Sequence, residues 1–250
     1  MDSYLEIVLL IGIGLFAGFV NTLAGGGSLL TLPILIFLGL PPSVANGTNR
    51  IAIVFQNIFT TAGFKSKGIQ TFPFSLYLGI SALLGAVIGA QIAVDIKGET
   101  FNKILAVVMV LVVGYMVLKP KYSNLNLSEL TSGKSLWFST LLFFFVGVYG
   151  GFIQAGVGFL MLLVLTSVNN LSLVKSNAVK VTVVLIYTLA AVIVFAYHNK
   201  INWQYGLTLA LGNSIGGWIT SRYSVRKGDK LVKQVLVIMV VIMAIKLWFF

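Results

Sequence analysis

Six pairs of identical residues stand at one fixed separation along this chain. Gly25 and Gly156, Gly27 and Gly158, Leu40 and Leu171, Asn46 and Asn177, Phe64 and Phe195, and Gly85 and Gly216 are each 131 positions apart, without a gap. Agreement at a single offset over the whole length marks an internal duplication. It divides the chain into a first repeat, residues 1–119, a linker at 120–131, and a second repeat, residues 132–250. The fold is therefore two copies of one unit, and the contents of that unit constrain everything else.

In the first repeat the unit is a series of apolar segments: Tyr4 to Leu23, Ser28 to Leu40, Pro42 to Phe64, Phe72 to Val94 and Phe101 to Leu118. With 58% hydrophobic and 9% charged residues, too few polar side chains remain to cover a water-soluble domain of 250 residues. The expected class is an all-α polytopic membrane protein. The segment after Ser28 is shorter than the roughly 20 helical residues that a bilayer core requires. Each repeat thus has four long transmembrane helices plus one short, half-length helix, which either crosses or re-enters. Its shortness and its glycine tip favour a re-entrant hairpin. Gly79, Gly85 and Gly89 are positions where another helix can pack closely.

Orientation follows from charge. The net charge of +11 would suggest nucleic acid in a soluble chain, but here Lys and Arg lie mostly in short loops between apolar segments. No nucleic-acid partner is expected; the bilayer is the partner. If the short helices count, each repeat has five segments, an odd number, and the second repeat is inverted relative to the first. With the N-terminus outside, twelve of the 17 basic residues then fall on the inner side. Discounting the short helices weakens that asymmetry, so the charge pattern favours two inverted repeats, an arrangement found in secondary transporters. Met1 to Glu6 is acidic and lacks a basic region, which reads as the start of a retained span rather than of a cleaved signal peptide.

The stretch from Ala24 to Arg50 has the wrong composition for an ordinary span. It holds Gly25, Gly26 and Gly27 in a row, three prolines, and Asn46-Gly47-Thr48-Asn49-Arg50. Backbone that breaks a helix is tolerated at membrane depth only where protein buries it or where it lines a cavity. If the two hairpins enter from opposite faces, their tips, Gly25-Gly26-Gly27-Ser28 and Gly156-Val157-Gly158, meet near the midplane. Glycine backbone approaches a ligand closely, and the start of a half-helix presents free N–H groups and the positive end of its dipole to an anion. Ser28 suits an N-cap, although its repeat mate is Phe159.

The second candidate cluster is Asn46, Asn49 and Arg50 with Asn177 and Lys180. Each Asn lies three residues from a polar partner and shares a helix face with it. Asparagine supplies donors without net charge, and Arg50 and Lys180 supply the charge for an oxyanion. The alternative for both cations is snorkelling to lipid headgroups. Gln154, beside the second tip, is a further polar candidate for ligand contact. On this reading, deleting the charge of Arg50 or Lys180 abolishes anion transport and leaves folding intact.

Acidic residues lie only at segment ends or in loops, and the sole histidine, His198, is in a loop. No proton relay or carboxylate sodium site is expected at membrane depth, so electrogenic movement of an anion fits better than proton-coupled uptake. No catalytic residue, metal site or cofactor is expected. The chain has no cysteine, no G-x-S-x-G elbow, no Asp-rich diphosphate motif and no P-loop lysine at its glycines. A channel remains the alternative to a carrier.

The run from Ala17 to Leu30, with Pro33 and Asn46 to Arg50, resembles the sulfite exporter TauE/SafE family, also called the 4-toluene sulfonate uptake permeases. Gly150 to Gly158 and Asn177-Ala178-Val179-Lys180 resemble that family's second repeat, with Phe159 and Val179 in place of the polar Ser28 and Thr48. The resemblance implies a bacterial or archaeal inner-membrane carrier for sulfite, sulfonates or sulfoacetate. It fixes neither direction, substrate nor oligomeric state.

Overall fold

The computed structural model describes residues 3–101, 103–104, 107, 128–232 and 234–235. Helices account for all its regular structure among these residues: α1 (Ser3–Leu23), α2 (Ser28–Phe37), α3 (Pro42–Lys65), α4 (Phe74–Asp95), α5 (Gly133–Phe152), α6 (Val157–Ser167), α7 (Leu173–Tyr197) and α8 (Trp203–Lys227), with further helical residues at 98–107 and 229–235 where these are described. Most of the expected span from Phe101 to Leu118, most of its counterpart in the second repeat and most of the 120–131 linker lie outside the described residues.

Local chemistry explains the boundaries. Helix α1 runs out at Gly25, whose φ of 80° takes the chain out of the right-handed region. Helix α2 ends at Phe37 rather than near Leu40, because Gly39 adopts φ 93° and Pro41 follows. Pro42 opens α3 at a position where its missing N–H costs nothing. At the start of α7 the Ser172 hydroxyl accepts from Lys175 N, while the Asp229 carboxylate accepts from Leu173 N and Val174 N at 3.0 and 2.9 Å. Asn202 caps α8 in the same manner, accepting from Tyr205 N at 3.0 Å.

Four helices, α1, α4, α5 and α7, are long and apolar enough to cross a membrane, and α2 and α6 are short apolar helices of 10 and 11 residues. Helices α3 and α8 have the length but are more polar. Their polar side chains point inward: Asn46, Thr48, Asn49, Arg50, Gln56, Asn57 and Thr60 are buried on α3, and Asn213, Thr220 and Ser221 on α8. The outward faces carry exposed apolar residues such as Ile80, Leu84, Phe145, Ile193 and Ile215. Polar groups inside and apolar groups outside suit a hydrocarbon surround.

Packing crosses between the repeats. Helix α1 lies along α8, with Gly14 against Leu209 and Gly212, and Gly216 against Leu15. The equivalent pair 131 positions on is α5 along α4, where Gly85 meets Phe144 and Val148, Gly89 meets Val148 and Phe152, and Gly147 and Gly151 meet Ala82 and Ala86. Gly79, Gly85 and Gly89 are all close-packing positions, Gly79 against the Ile186 side chain of α7. Each of these pairs runs parallel, since residue numbers rise together along the contact. So do α3 and α8, in contact from Thr48 and Asn202 to Gly63 and Ser221. Helices α3 and α7 run antiparallel: Arg50, near the start of α3, stacks on Phe195 near the end of α7, and Phe64, near the end of α3, shares a cavity wall with Ala178 near the start of α7.

Candidate functional site

The two hairpin tips meet. A Cβ placed on Gly25 would fall on the Cα of Gly158, and one on Gly158 would fall on the Cα of Gly25. Backbone touches backbone at this crossing, which no side chain permits. Gly26 faces the Phe159 ring, and Gly27 packs on its own hairpin, against the Ala17 carbonyl and Asn21. The second tip is built from Ile153 to Gly156, with Gln154 and Gly156 at φ 65° and 71°, and Gly158 sits inside the first turn of α6.

Ser28 does not cap α2. The position before the helix is Gly27, in right-handed conformation and without a side-chain cap bond. The Ser28 hydroxyl instead accepts from Asn49 Nδ2 at 3.2 Å, while Asn49 Oδ1 accepts from the Thr31 hydroxyl at 2.7 Å. The pair ties α2 to α3, and this tie uses the oxygen that a cap would need.

Arg50 is fully buried. Its guanidinium donates to the carbonyls of Gly150 at 3.0 Å and Gly151 at 2.6 Å, to Asn46 Oδ1 at 3.3 Å and to Gln154 Oε1 at 3.4 Å, and it lies 4.8 Å from the centre of the Phe195 ring. Asn46 Nδ2 donates to the Phe152 carbonyl at 2.7 Å, and the Tyr187 hydroxyl donates to Gln154 Oε1 at 2.9 Å. The fork thus holds the last turn of α5, where the helix dipole favours a cation.

Lys180, 130 positions further on than Arg50, does the same work in the opposite direction. Its ammonium donates to the Asn21 carbonyl at 2.9 Å, the Thr22 carbonyl at 3.1 Å and Asn177 Oδ1, and Asn177 Nδ2 donates to the Leu23 carbonyl at 3.1 Å. In each half, then, an Asn and a cation near the start of one repeat's third helix clasp the end of the other repeat's first helix. Neither cation snorkels to a headgroup.

All twelve residues singled out from the sequence are buried, and they fall into four groups: the glycine crossing, the Ser28–Asn49 tie, the Arg50 clasp and the Lys180 clasp. One expectation changes. Arg50 and Lys180 satisfy seven acceptors between them, five on another helix or tip and two on a neighbouring Asn, so their loss is a loss of structure as well as of charge. Sequence reasoning missed Tyr187 and Thr31. Tyr187 is the repeat mate of Gln56, so the 131 offset was the available signal.

The architecture is that of a multi-pass helical membrane protein with irregular backbone at its centre. The family model described as Sulfite exporter TauE/SafE matches residues 10–247. The chain belongs to the sulfite exporter TauE/SafE family of membrane transporters. It is 28% identical to the "Probable membrane transporter protein ORF9" of Sinorhizobium sp, over 92% of this chain and 88% of that one. A "Probable membrane transporter protein" of Haemophilus influenzae is 27% identical, covering 99% and 96%, and the "Probable membrane transporter protein YfcA" of Escherichia coli K12 is 26% identical, covering 99% and 91%. No solved structure matches the chain significantly.

Proposed function

We propose that this transporter carries small sulfur-containing anions, such as sulfite, sulfonates or sulfoacetate, across the cytoplasmic membrane by alternating access, with export favoured. One observation carries the choice of an anion. Arg50 and Lys180 are buried, and among the described residues no Asp or Glu is buried with them. Carbonyl oxygens accept four bonds from Arg50, whose Nε is left unpaired, and three from Lys180, but they leave two positive charges without a counter-charge, in surroundings where an uncompensated charge is costly. An anion at the hairpin crossing supplies the missing charge. The backbone N–H groups of Gly26, Gly27 and Ser28 donate to no backbone carbonyl among the described residues, and they add a positive helix end there.

The mechanism rests on two inverted repeats with the N-terminus outside. The antiparallel α3 and α7, the exchanged α1–α8 and α5–α4 pairs and the matching clasps support that arrangement. Two equal and opposite halves around one site can expose it to either face in turn. In this reading Gly25, Gly26, Gly27, Ser28, Gly156 and Gly158 bring backbone to the anion, Asn46, Asn49, Asn177 and Gln154 set the geometry, and Arg50 and Lys180 set the potential.

The test is flux of labelled sulfite and of ethanesulfonate in proteoliposomes, at zero voltage and with a potential of either sign. Saturable flux that follows the voltage, at about 2.3 kcal/mol per charge per 100 mV, and that shows counterflow is the expected result. Flux that does not saturate and shows no counterflow would establish a channel instead.

A further inference from the structure

Four side-chain amides belong to the candidate site, and three of them are engaged at both ends. Asn46, Asn49 and Asn177 each donate from Nδ2 and accept at Oδ1. Gln154 differs. Its Oε1 accepts from Arg50 at 3.4 Å and from the Tyr187 hydroxyl at 2.9 Å, while its Nε2 makes no hydrogen bond among the described residues. Tyr187 reaches that oxygen because Gly150 has no side chain: a Cβ there would lie 2.9 Å from the hydroxyl.

The neighbours dictate which end of this amide is which. A guanidinium has donors and no acceptor, so the atom facing Arg50 is the oxygen, and the hydroxyl that meets the same atom must donate to it. Two donors, one from α3 and one from α7, thus hold the amide with its NH2 turned from both. Gln154 is only 3% exposed, yet its nitrogen is not closed off by surrounding atoms as the unpaired Gln56 Nε2 and Asn213 Oδ1 are.

The backbone places the same emphasis on this residue. Gln154 holds φ 65°, a left-handed conformation uncommon for a long side chain, two residues before Gly156 at the second tip. The first repeat has no counterpart. Leu23 stands 131 positions before Gln154, inside α1, and the mate of Tyr187 is Gln56. The Gln56 Oε1 also takes two donors, Asn21 Nδ2 at 3.1 Å and Asn213 Nδ2 at 3.3 Å, but its NH2 is shut in. Of these two locked amides, Gln154 is the one that presents an open donor.

We infer that Gln154 donates its NH2 directly to an oxygen of the bound anion, and that Tyr187 is a positioning residue that acts through Gln154 by holding the amide oxygen towards Arg50. The inference deepens the anion-transport reading and rests on it. The guanidinium behind the oxygen polarises the amide, which strengthens the NH2 as a donor. An oxyanion gains from such a donor, and a cation is repelled by it. Gln154→Glu separates this role from a structural one, because a carboxylate keeps an oxygen for Arg50 and Tyr187 but replaces the NH2 by an acceptor and cancels the Arg50 charge.

The full chain in lipid nanodiscs is titrated calorimetrically with ethanesulfonate and with sulfite, and its thermal unfolding is followed without ligand. Gln154→Glu should unfold at or above the native temperature and bind at least about 100-fold more weakly. Gln154→Met, which drops both bonds to the oxygen, should unfold lower yet lose only about tenfold in affinity. Tyr187→Phe should weaken binding about fivefold in the native chain and not at all in the Gln154→Met background. A native chain that binds the anion, with Gln154→Met the weaker binder of the two or with Tyr187→Phe equally costly in both backgrounds, would overturn this role alone. No binding of either anion by the native chain would overturn the anion reading with it. If Tyr187→Phe fails to fold, the ranking of Gln154→Glu and Gln154→Met still decides.

Discussion

Replacing Arg50 by Met should lower anion flux by at least about 100-fold and destabilise the protein by about 3–5 kcal/mol. The size follows from what the guanidinium touches. It bonds the Gly150 and Gly151 carbonyls, Asn46 and Gln154, all in a buried setting where each acceptor left unpaired costs about 1–3 kcal/mol. Arg50→Lys keeps the charge but cannot span the two carbonyls with a planar fork, so it should recover part of the flux and little of the stability. Lys180→Met should follow the same pattern on the other clasp, freeing the Asn21 and Thr22 carbonyls. Thermal unfolding in detergent, measured beside flux in proteoliposomes, separates the two effects. Native stability and native flux in both Met variants would remove the clasps from the mechanism.

Gly25→Ala should be as damaging, and its neighbour provides the control. A methyl group at Gly25 strikes the backbone of Gly158 and must also adopt φ 80°, a combination that costs about 2–5 kcal/mol and pushes the two hairpins apart. Gly158→Ala meets the Gly25 backbone in turn. At Gly26 the same methyl meets only the Phe159 ring, which can shift, so Gly26→Ala should cost about 1 kcal/mol and keep most of its flux. A ranking in which Gly26→Ala is the most harmful of the three, in flux and in unfolding temperature, would contradict the crossing. Three consecutive glycines thus carry unequal weight, and only the opposing hairpin shows why.

That inequality also marks how far the sequence could be read. The 131 offset, the length of the apolar segments and the Gly-Gly-Gly and Asn-x-x-Asn-Arg runs were enough to place the hairpins and to single out Arg50 and Lys180. The partners were not legible. Arg50 reaches carbonyls about a hundred residues away, and a backbone carbonyl leaves no trace in residue type. Ser28 looked like a cap because its chemistry suits one, but Asn49 competes for its oxygen and wins.

The arrangement of the repeats is tested most directly by sidedness. Lys67 and Asn199 are exposed and lie just beyond the ends of α3 and α7, which run antiparallel. With Lys67→Cys and Asn199→Cys made separately in the cysteine-free chain, a membrane-impermeant maleimide should label the first from the inner face alone and the second from the outer face alone. Labelling of both from the same face would mean that the repeats are not inverted, and would remove the basis for alternating access around the hairpin crossing.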